Sequence, residues 1–265
     1  MKTLALVADD YGLAAPIDRG ILRLAAAGRL SAVSCIVNAG EWRHSAAHLA
    51  ALPVAAGLHW NLTEGRPLSG ALAQAWPQLP SLPRLLLLAQ LRQLPVAALR
   101  AELAAQLAAF ESAYGRPPAH LDGHQHVHHL PQLRGLVLEL LAARPALRVR
   151  ATGRLTGPGF GFKRRVIEWT GGRTLARRLA RRGQAQNRVL LGAYDFVATD
   201  YRALMQRWLR ALPPDGALLF CHPGEAGAGD ASAAARVREL AYLEGDAFAA
   251  DLAAAGVQLS LPGAA

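Results

Sequence analysis

The feature that most restricts the fold is a series of short apolar segments, each ending abruptly in polar residues and most followed by a helical pattern. TLALVADD (3–10) leads into an Ala- and Leu-rich helix near 16–27, and SAVSCIVNAG (31–40) into a helix near 42–51. VAAGLHWNLT (54–63) is followed by a Pro-, Gly- and Leu-rich stretch, then by a helix near 95–113. HLDGHQH (120–126) precedes PQLRGLVLELLAAR, where Pro131 suits the first turn of a helix. LRVRAT (147–152), VLLGAYD (189–195), ALLFCHPG (217–224) and VQLSLP (257–262) supply the later strands. Strands that are apolar almost throughout and alternate with helices belong to a parallel sheet covered on both sides. About seven or eight such units predict one α/β domain, an irregular (β/α) barrel of mostly parallel strands, with an open doubly wound sheet as the alternative. Residues 64–95 and 153–188 read as insertions within that domain, 1–265.

A hydrophobic content of 52% against 18% charged residues argues for a compact chain and against disorder. The opening TLALVA is too short for a signal-peptide core, and LPRLLLLAQL, broken by Pro83 and Arg84, falls short of a ~20-residue membrane span. The expected address is the cytoplasm. Cys35 and Cys221 lie far apart inside apolar runs, which predicts buried thiols rather than a disulfide. The net charge of +10 is uneven: residues 163–188 hold nine basic side chains against one acid. A solvated helix face is the ordinary reading of such a run. The functional reading is contact with an anionic membrane, in which Arg177, Arg178, Arg181 and Arg182 share a helix side, Leu175 and Leu179 supply an apolar edge, and Trp169 lies nearby. Nucleic acid is not expected, because no binding motif accompanies the charge.

In parallel α/β folds the active site gathers at the carboxyl ends of the strands. The polar residues that end apolar strands are Asp9 and Asp10, His59 and Asn61, Asp122, His124 and His126, then Arg150 and His222. These are the residue types of metal ligation and acid–base catalysis. The stretch HLDGHQHVHHLP carries five of the nine histidines. On a strand, His120, Asp122, His124, His126 and His128 would share one face; on a helix, His124 and His128 would pair. A catalytic metal takes about three protein ligands, so the rest would orient ligands or line a pocket. Asp9 and Asp10 would point oppositely on a regular strand, yet both could reach a site from a frayed end. The plainer readings are a turn at Asp-Asp-Tyr-Gly and half-buried structural histidines at His59 and His222. A Cys221–His222 nucleophile is disfavoured because adjacent strand residues face apart, and His44 and His48 read as surface residues on a helix.

VADDYGL, GLHWNLTEGRP, HLDGHQHVHHLP and CHPG, together with the closing RVRELAYL (236–243), occur in an order that resembles the YdjC-like carbohydrate deacetylases. That family includes chitooligosaccharide deacetylases and hopanoid-associated members. The resemblance implies an irregular barrel similar to polysaccharide deacetylases and one divalent metal ion held by Asp10, His59 and His124. It also implies Asp9 as base and His222 as acid, with Asn61, Asp122, His126, His128 and Arg150 binding substrate or supporting the ligands. Three positions depart from the family pattern. Tyr11 replaces a phenylalanine, Gly123 stands where serine is common, and Trp60 could narrow the sugar site. The implied reaction is metal-dependent hydrolysis of an N-acetyl group on a carbohydrate or glycolipid. A metal-dependent phosphoesterase and a non-catalytic metal- or lipid-binding barrel are the alternatives. Magnesium and zinc lead the candidate ions, and iron, cobalt and nickel suit the same ligands. The expected partners are an N-acetylated sugar or glycolipid, an anionic membrane touched weakly through 163–188, and a second copy in a homodimer.

Overall fold

The computed structural model describes residues 1–227, 229 and 231–261. Its centre is β1 (Lys2–Tyr11), which is buried from Leu4 to Tyr11 and can be so because nearly every side chain there is apolar. The chain then alternates as the apolar runs dictate: α1 (Ala15–Ala26), β2 (Ala32–Cys35), α2 (Trp42–Ala50) and β3 (Ala55–Trp60). The first insertion carries α3 (Gly70–Ala75) and α4 (Leu82–Gln90) before the long α5 (Val96–Tyr114). Leu99, Leu103, Gln106 and Phe110 give α5 its buried side, and Gly115, in the left-handed region at φ 78°, ends it. Next come β4 (His120–Gly123), α6 (Leu133–Ala143) and β5 (Arg148–Val149). The second insertion holds α7 (Gly161–Ile167), a π-helical turn at Glu168–Gly172 and α8 (Arg173–Arg181). After β6 (Leu190–Leu191) follow α9 (Tyr201–Arg210), β7 (Ala217–Cys221), α10 (Ala233–Glu244), α11 (Asp246–Ala254) and β8 (Val257–Leu259).

All eight strands join one sheet in the order β5-β4-β3-β2-β1-β7-β6, and every pairing is parallel. β8 pairs with Lys2–Leu4 of β1, while β2 pairs with its other half from Val7 onward. The two lie end to end on one flank: Ser260 N donates to Leu4 O, and Ser31 N donates to Leu6 O. The sheet curls until its edges meet without a continuous ladder. Among the described residues a single bridge, Leu155 to Leu190, runs across that seam. The Asn187 amide spans the rest, accepting from Ala151 N (2.8 Å) and donating to the carbonyls of Ala151 (2.9 Å) and Val189 (3.2 Å). The architecture is therefore an irregular, incompletely closed (β/α) barrel.

The boundaries differ from the sequence pattern at identifiable places. β5 and β6 shrink to two residues each; past β5 the Ala151 backbone faces the seam and bonds to Asn187 instead of a neighbouring strand. α6 starts at Leu133, two residues after Pro131, since Gln132 takes a left-handed conformation at φ 67°. The final strand ends at Leu259, and Pro262, the last residue of the expected strand, lies outside the described residues. Both cysteines are buried free thiols, and His44 and His48 are exposed on α2.

The seam yields a test. Replacing Asn187 with Ala leaves the Ala151 backbone groups without partners, at about 1–3 kcal/mol for each such group that stays dry. We expect Asn187→Ala to lower unfolding stability by at least about 1 kcal/mol in urea titration, and an unchanged midpoint would mean that water replaces the amide.

Candidate active site

The site lies at the carboxyl end of the barrel, and a bulge in β1 creates it. The β1–β2 register runs Val7 to Ala32 and Ala8 to Val33, then jumps to Tyr11 opposite Cys35. Asp9 and Asp10 thus face the single residue Ser34, and Asp10 takes φ 73°, unusual for a residue with a side chain. The extra residue breaks the two-residue alternation, so both carboxylates are buried among the site's cations rather than on opposite faces. A frayed strand end is not needed: the ladder resumes at Tyr11.

Arg150, just past β5, is buried and grips both oxygens of Asp9, at 2.7 and 2.6 Å. It also pairs with Asp122, whose second partners are Ser34 Oγ (2.7 Å) and His59 Nδ1 (2.6 Å). Burial opposes ionisation of Asp122, but the charges of Arg150 and His59 hold it well below the usual carboxylate range. Because Nδ1 of His59 is fixed on Asp122, its Nε2 is turned toward Asp10 Oδ1, 3.5 Å away.

His124 completes the group. Its Nδ1 lies 3.0 Å from Asp10 Oδ1 and its Nε2 3.0 Å from Glu64 Oε1. Burial lowers the basicity of this imidazole, yet the neighbouring Asp10 and Glu64 outweigh it and push the pKa up to about 10. Asp10 is likewise opposed by burial, but His124 and Arg236 hold it low, Arg236 by a 2.7 Å bond to Oδ2. Asp10, His59 and His124 can each offer one donor atom to a common ion. A tetrahedral zinc site separates its nitrogen and oxygen donors by about 3.3 Å. The 3.5 and 3.0 Å spacings bracket that value, and each histidine has its remote nitrogen on a carboxylate, the usual support of a ligating imidazole. These residues fit a divalent metal. A second group, Asp9, His59 and Asp122, fits less well, since Arg150 already neutralises both of its carboxylates.

The remaining histidines leave the strand pattern. β4 stops at Gly123, and Gln125 and His126 adopt left-handed backbone (φ 53° and 63°), so His124–His129 form tight turns instead of continuing one face. His128 folds back beneath Gly123 and bonds the Arg150 carbonyl through Nε2 (2.9 Å). A Cβ on Gly123 would stand 2.8 Å from His128 N, which explains why glycine replaces serine here. His120 Nε2 reaches Ser34 Oγ (2.9 Å), and His126 packs edge-on against Phe220, 5.1 Å between centroids. His222 stands between Phe196 and Phe220, at 5.0 and 5.6 Å. Burial outweighs the pull of Asp10 and Asp9 and pushes His222 down to about 4, so its resting ring is neutral. Asn61 is buried. Its amide accepts from Thr63 N and Glu64 N and donates to Asn38 and Glu64 O, which shapes the loop that aims Glu64 at His124. Trp60 does not narrow the site either. Neighbouring His59 on a regular strand, it points to the opposite side and is wholly buried in the core. The Tyr11 hydroxyl, absent from a phenylalanine, donates to Ser45 O at 2.7 Å.

Several site residues carried no sequence signal of their own. Arg236 and Glu239, on α10, serve Asp10 and the His222 backbone N–H, the latter bond being 2.6 Å. Burial raises the Glu239 carboxyl to about 7, against the opposing bonds from Tyr194 and His222. Ser34, Phe220 and Glu64 were likewise unmarked. Glu64 sat inside GLHWNLTEGRP, and Arg236 and Glu239 inside RVRELAYL, without being singled out there.

A model of the family described as YdjC-like protein matches residues 3–254. The chain belongs to that family. Among curated relatives of this YdjC-like chain, a chitooligosaccharide deacetylase of Proteus mirabilis (strain HI4320) is 36% identical over 155 residues, 56% of this chain and 58% of that protein. A carbohydrate deacetylase of Mus musculus is 40% identical over 147 residues, covering 53% and 47%. The chain spans about half the length of the curated relatives it matches. Its fold resembles that of a candidate cellobiose-phosphate cleavage protein of Enterococcus faecalis V583, with a TM-score of 0.75 at 18% identity over 98% of this chain and 97% of that one. It also resembles, at a TM-score of 0.50 and 13% identity, a mutant of a CE4 family pseudoenzyme with restored activity, over 98% of this chain and 65% of that one.

Removing the central cation should unsettle the whole group. Arg150→Met leaves Asp9 and Asp122 buried beside each other, and losing one partner of a buried ion pair costs about 3–5 kcal/mol. We expect a stability loss of that size by chemical denaturation.

Proposed function

We propose that the protein hydrolyses the acetamido group of an N-acetylated carbohydrate or glycolipid, releasing acetate and a free amine. One observation carries this reading: His59 and His124 each have one nitrogen on a carboxylate while the other converges on Asp10. The names of the curated relatives point the same way. On this reading Asp10, His59 and His124 hold the metal, magnesium or zinc being the leading ions. When bound, the ion would polarise the acetyl carbonyl and acidify a water.

The chain's own residues do the rest. Asp9 takes the proton of the attacking water, and the two-point grip of Arg150 keeps its carboxylate from swinging away. Asp122 and Glu64 hold the two imidazoles in register. His222 protonates the departing amine. Its neutral resting state means that it must gain a proton during turnover before it gives one up. Phe196 and Phe220 confine its ring on two sides. A phosphoesterase asks for cations turned toward a phosphate, whereas Arg150 and Arg236 are both engaged with carboxylates. We read residues 1–265 as one domain because the strands share one sheet, and we assign a cytoplasmic address in keeping with its free thiols.

The direct test is acetate release from a panel of N-acetylated sugars and glycolipids. Release should vanish in chelator and return with added zinc or magnesium, and a metal-loaded protein inert to the whole panel would overturn the reading. Asp9→Asn separates base from ligand. We expect bound metal by elemental analysis and turnover lower by roughly 10²–10⁴-fold. Loss of the metal in this variant would make Asp9 a ligand instead.

A further inference from the structure

The two insertions meet on the rim of the site and build a surface that the reaction does not use. On α7 and the π-helical turn, Phe162, Val166 and Trp169 follow i, i+4, i+7 spacing and are 84%, 38% and 68% exposed. Leu87 on α4 and Leu91 just after it repeat the pattern at 59% and 56%. A bond from Gln90 Nε2 to Thr170 O (3.0 Å) joins the two helices, so these side chains belong to one patch. Leu175 and Leu179, the apolar edge expected from the sequence, are instead fully buried and anchor α8 to the core.

The patch is fixed to the site. Thr170 Oγ1 bonds His129 Nε2 (3.0 Å), and Gly171, at φ 157°, lies so close to the His129 carbonyl that a Cβ would meet its oxygen at 2.1 Å. On the other side Lys163 Nζ bonds Tyr194 O (2.6 Å) and lies over Phe196, the ring against His222. α7 and the π-helical turn therefore lean on residues that flank the candidate ligands and acid.

We propose that this rim is a docking surface for an anionic lipid bilayer, which would press the mouth of the site against the headgroup layer. Exposed aromatic and aliphatic side chains at helical spacing, ringed by arginines, are what an interfacial helix presents to lipid. Arg165, Arg173, Arg177, Arg178 and Arg181 are exposed along this segment, and its one acid, Glu168, is buried on Arg173. Arg92 at the end of α4 and Arg178 both depress the basicity of Arg134, after the larger effect of its burial, so the cations from separate elements crowd together. That crowding selects the occupant. A second copy packed across a two-fold axis would bring these arginines against their own counterparts, whereas an anionic headgroup layer neutralises them. The surface differs from a spanning segment, for among the described residues no helix is long and apolar enough to cross a membrane.

Co-sedimentation with phosphatidylcholine vesicles, with and without phosphatidylglycerol, tests this at low and high salt. Each arginine that reaches an anionic surface strengthens partitioning by roughly fivefold. Binding should require phosphatidylglycerol and weaken at high salt. It should fall by about 10²-fold or more when Arg165, Arg177, Arg178 and Arg181 are all changed to Gln. Trp169 is the most exposed tryptophan, so its emission should shift to the blue on vesicle binding, and Trp169→Phe should remove that shift. Far-UV circular dichroism of each variant checks that the fold is kept. Equal sedimentation with neutral and anionic vesicles, or equal binding by the four-glutamine variant, would overturn the proposal. So would self-association that disappears in a Phe162→Ser, Trp169→Ser variant, which would give the patch to a second copy. None of these readouts needs turnover, so their failure leaves the proposed reaction standing.

Discussion

Arg150 is the charge around which the site is assembled. It leaves the sheet just after β5, yet its guanidinium answers Asp9 from β1 and Asp122 from β4. Two buried carboxylates that close would repel each other without it. With it, Asp122 is free to orient His59 and Asp9 is held still, so three strands that do not all touch are tied at their ends. The same guanidinium lies over the Phe220 ring, 5.6 Å from its centroid, which extends the tie to β7. Arg236 plays the matching part for Asp10 from outside the sheet. The three buried aspartates of this site are thus divided between two arginines and two imidazoles.

The strands, their parallel arrangement and the helices α1, α2, α5 and α6 could be read from apolar periodicity because a parallel barrel buries both faces of its strands. The polar residues that terminate those runs are the ones that meet. Legibility failed where a short-range rule was broken for a site reason. The Asp9–Asp10 pair defeats alternation by a bulge opposite Ser34, and a bulge has no composition of its own. The histidine run defeats it by turning left-handed at Gln125 and His126, which disperses five imidazoles over different tasks. Arg236 stood inside a quoted motif, RVRELAYL, yet was not singled out, for another cause. It lies 226 residues from Asp10 in the chain, on a helix whose pattern reads as ordinary amphipathic structure.

Side chains that do backbone work recur at the margins of this fold. Asn187 stands in for strand pairing at the seam, Asn61 caps the loop that presents Glu64, and the Glu102 carboxylate receives Leu68 N and Ser69 N from the first insertion. Each of these polar groups faces backbone that has left regular structure, where a carbonyl or N–H would otherwise be buried without a partner. The insertions are therefore secured to the barrel at their roots while their outer faces stay exposed.

The end-to-end placement of β2 and β8 along one flank of β1 reaches beyond the finished structure, into its assembly. β1 finds β2 within about thirty residues of chain, but its other flank waits for β7, and its lower end for Val257–Leu259. Until then an almost wholly apolar strand has an open edge, and such edges are what nascent chains aggregate through. The central strand precedes every strand it pairs with and is fully paired only when the last of them is in place, which makes its completion a late, long-range event.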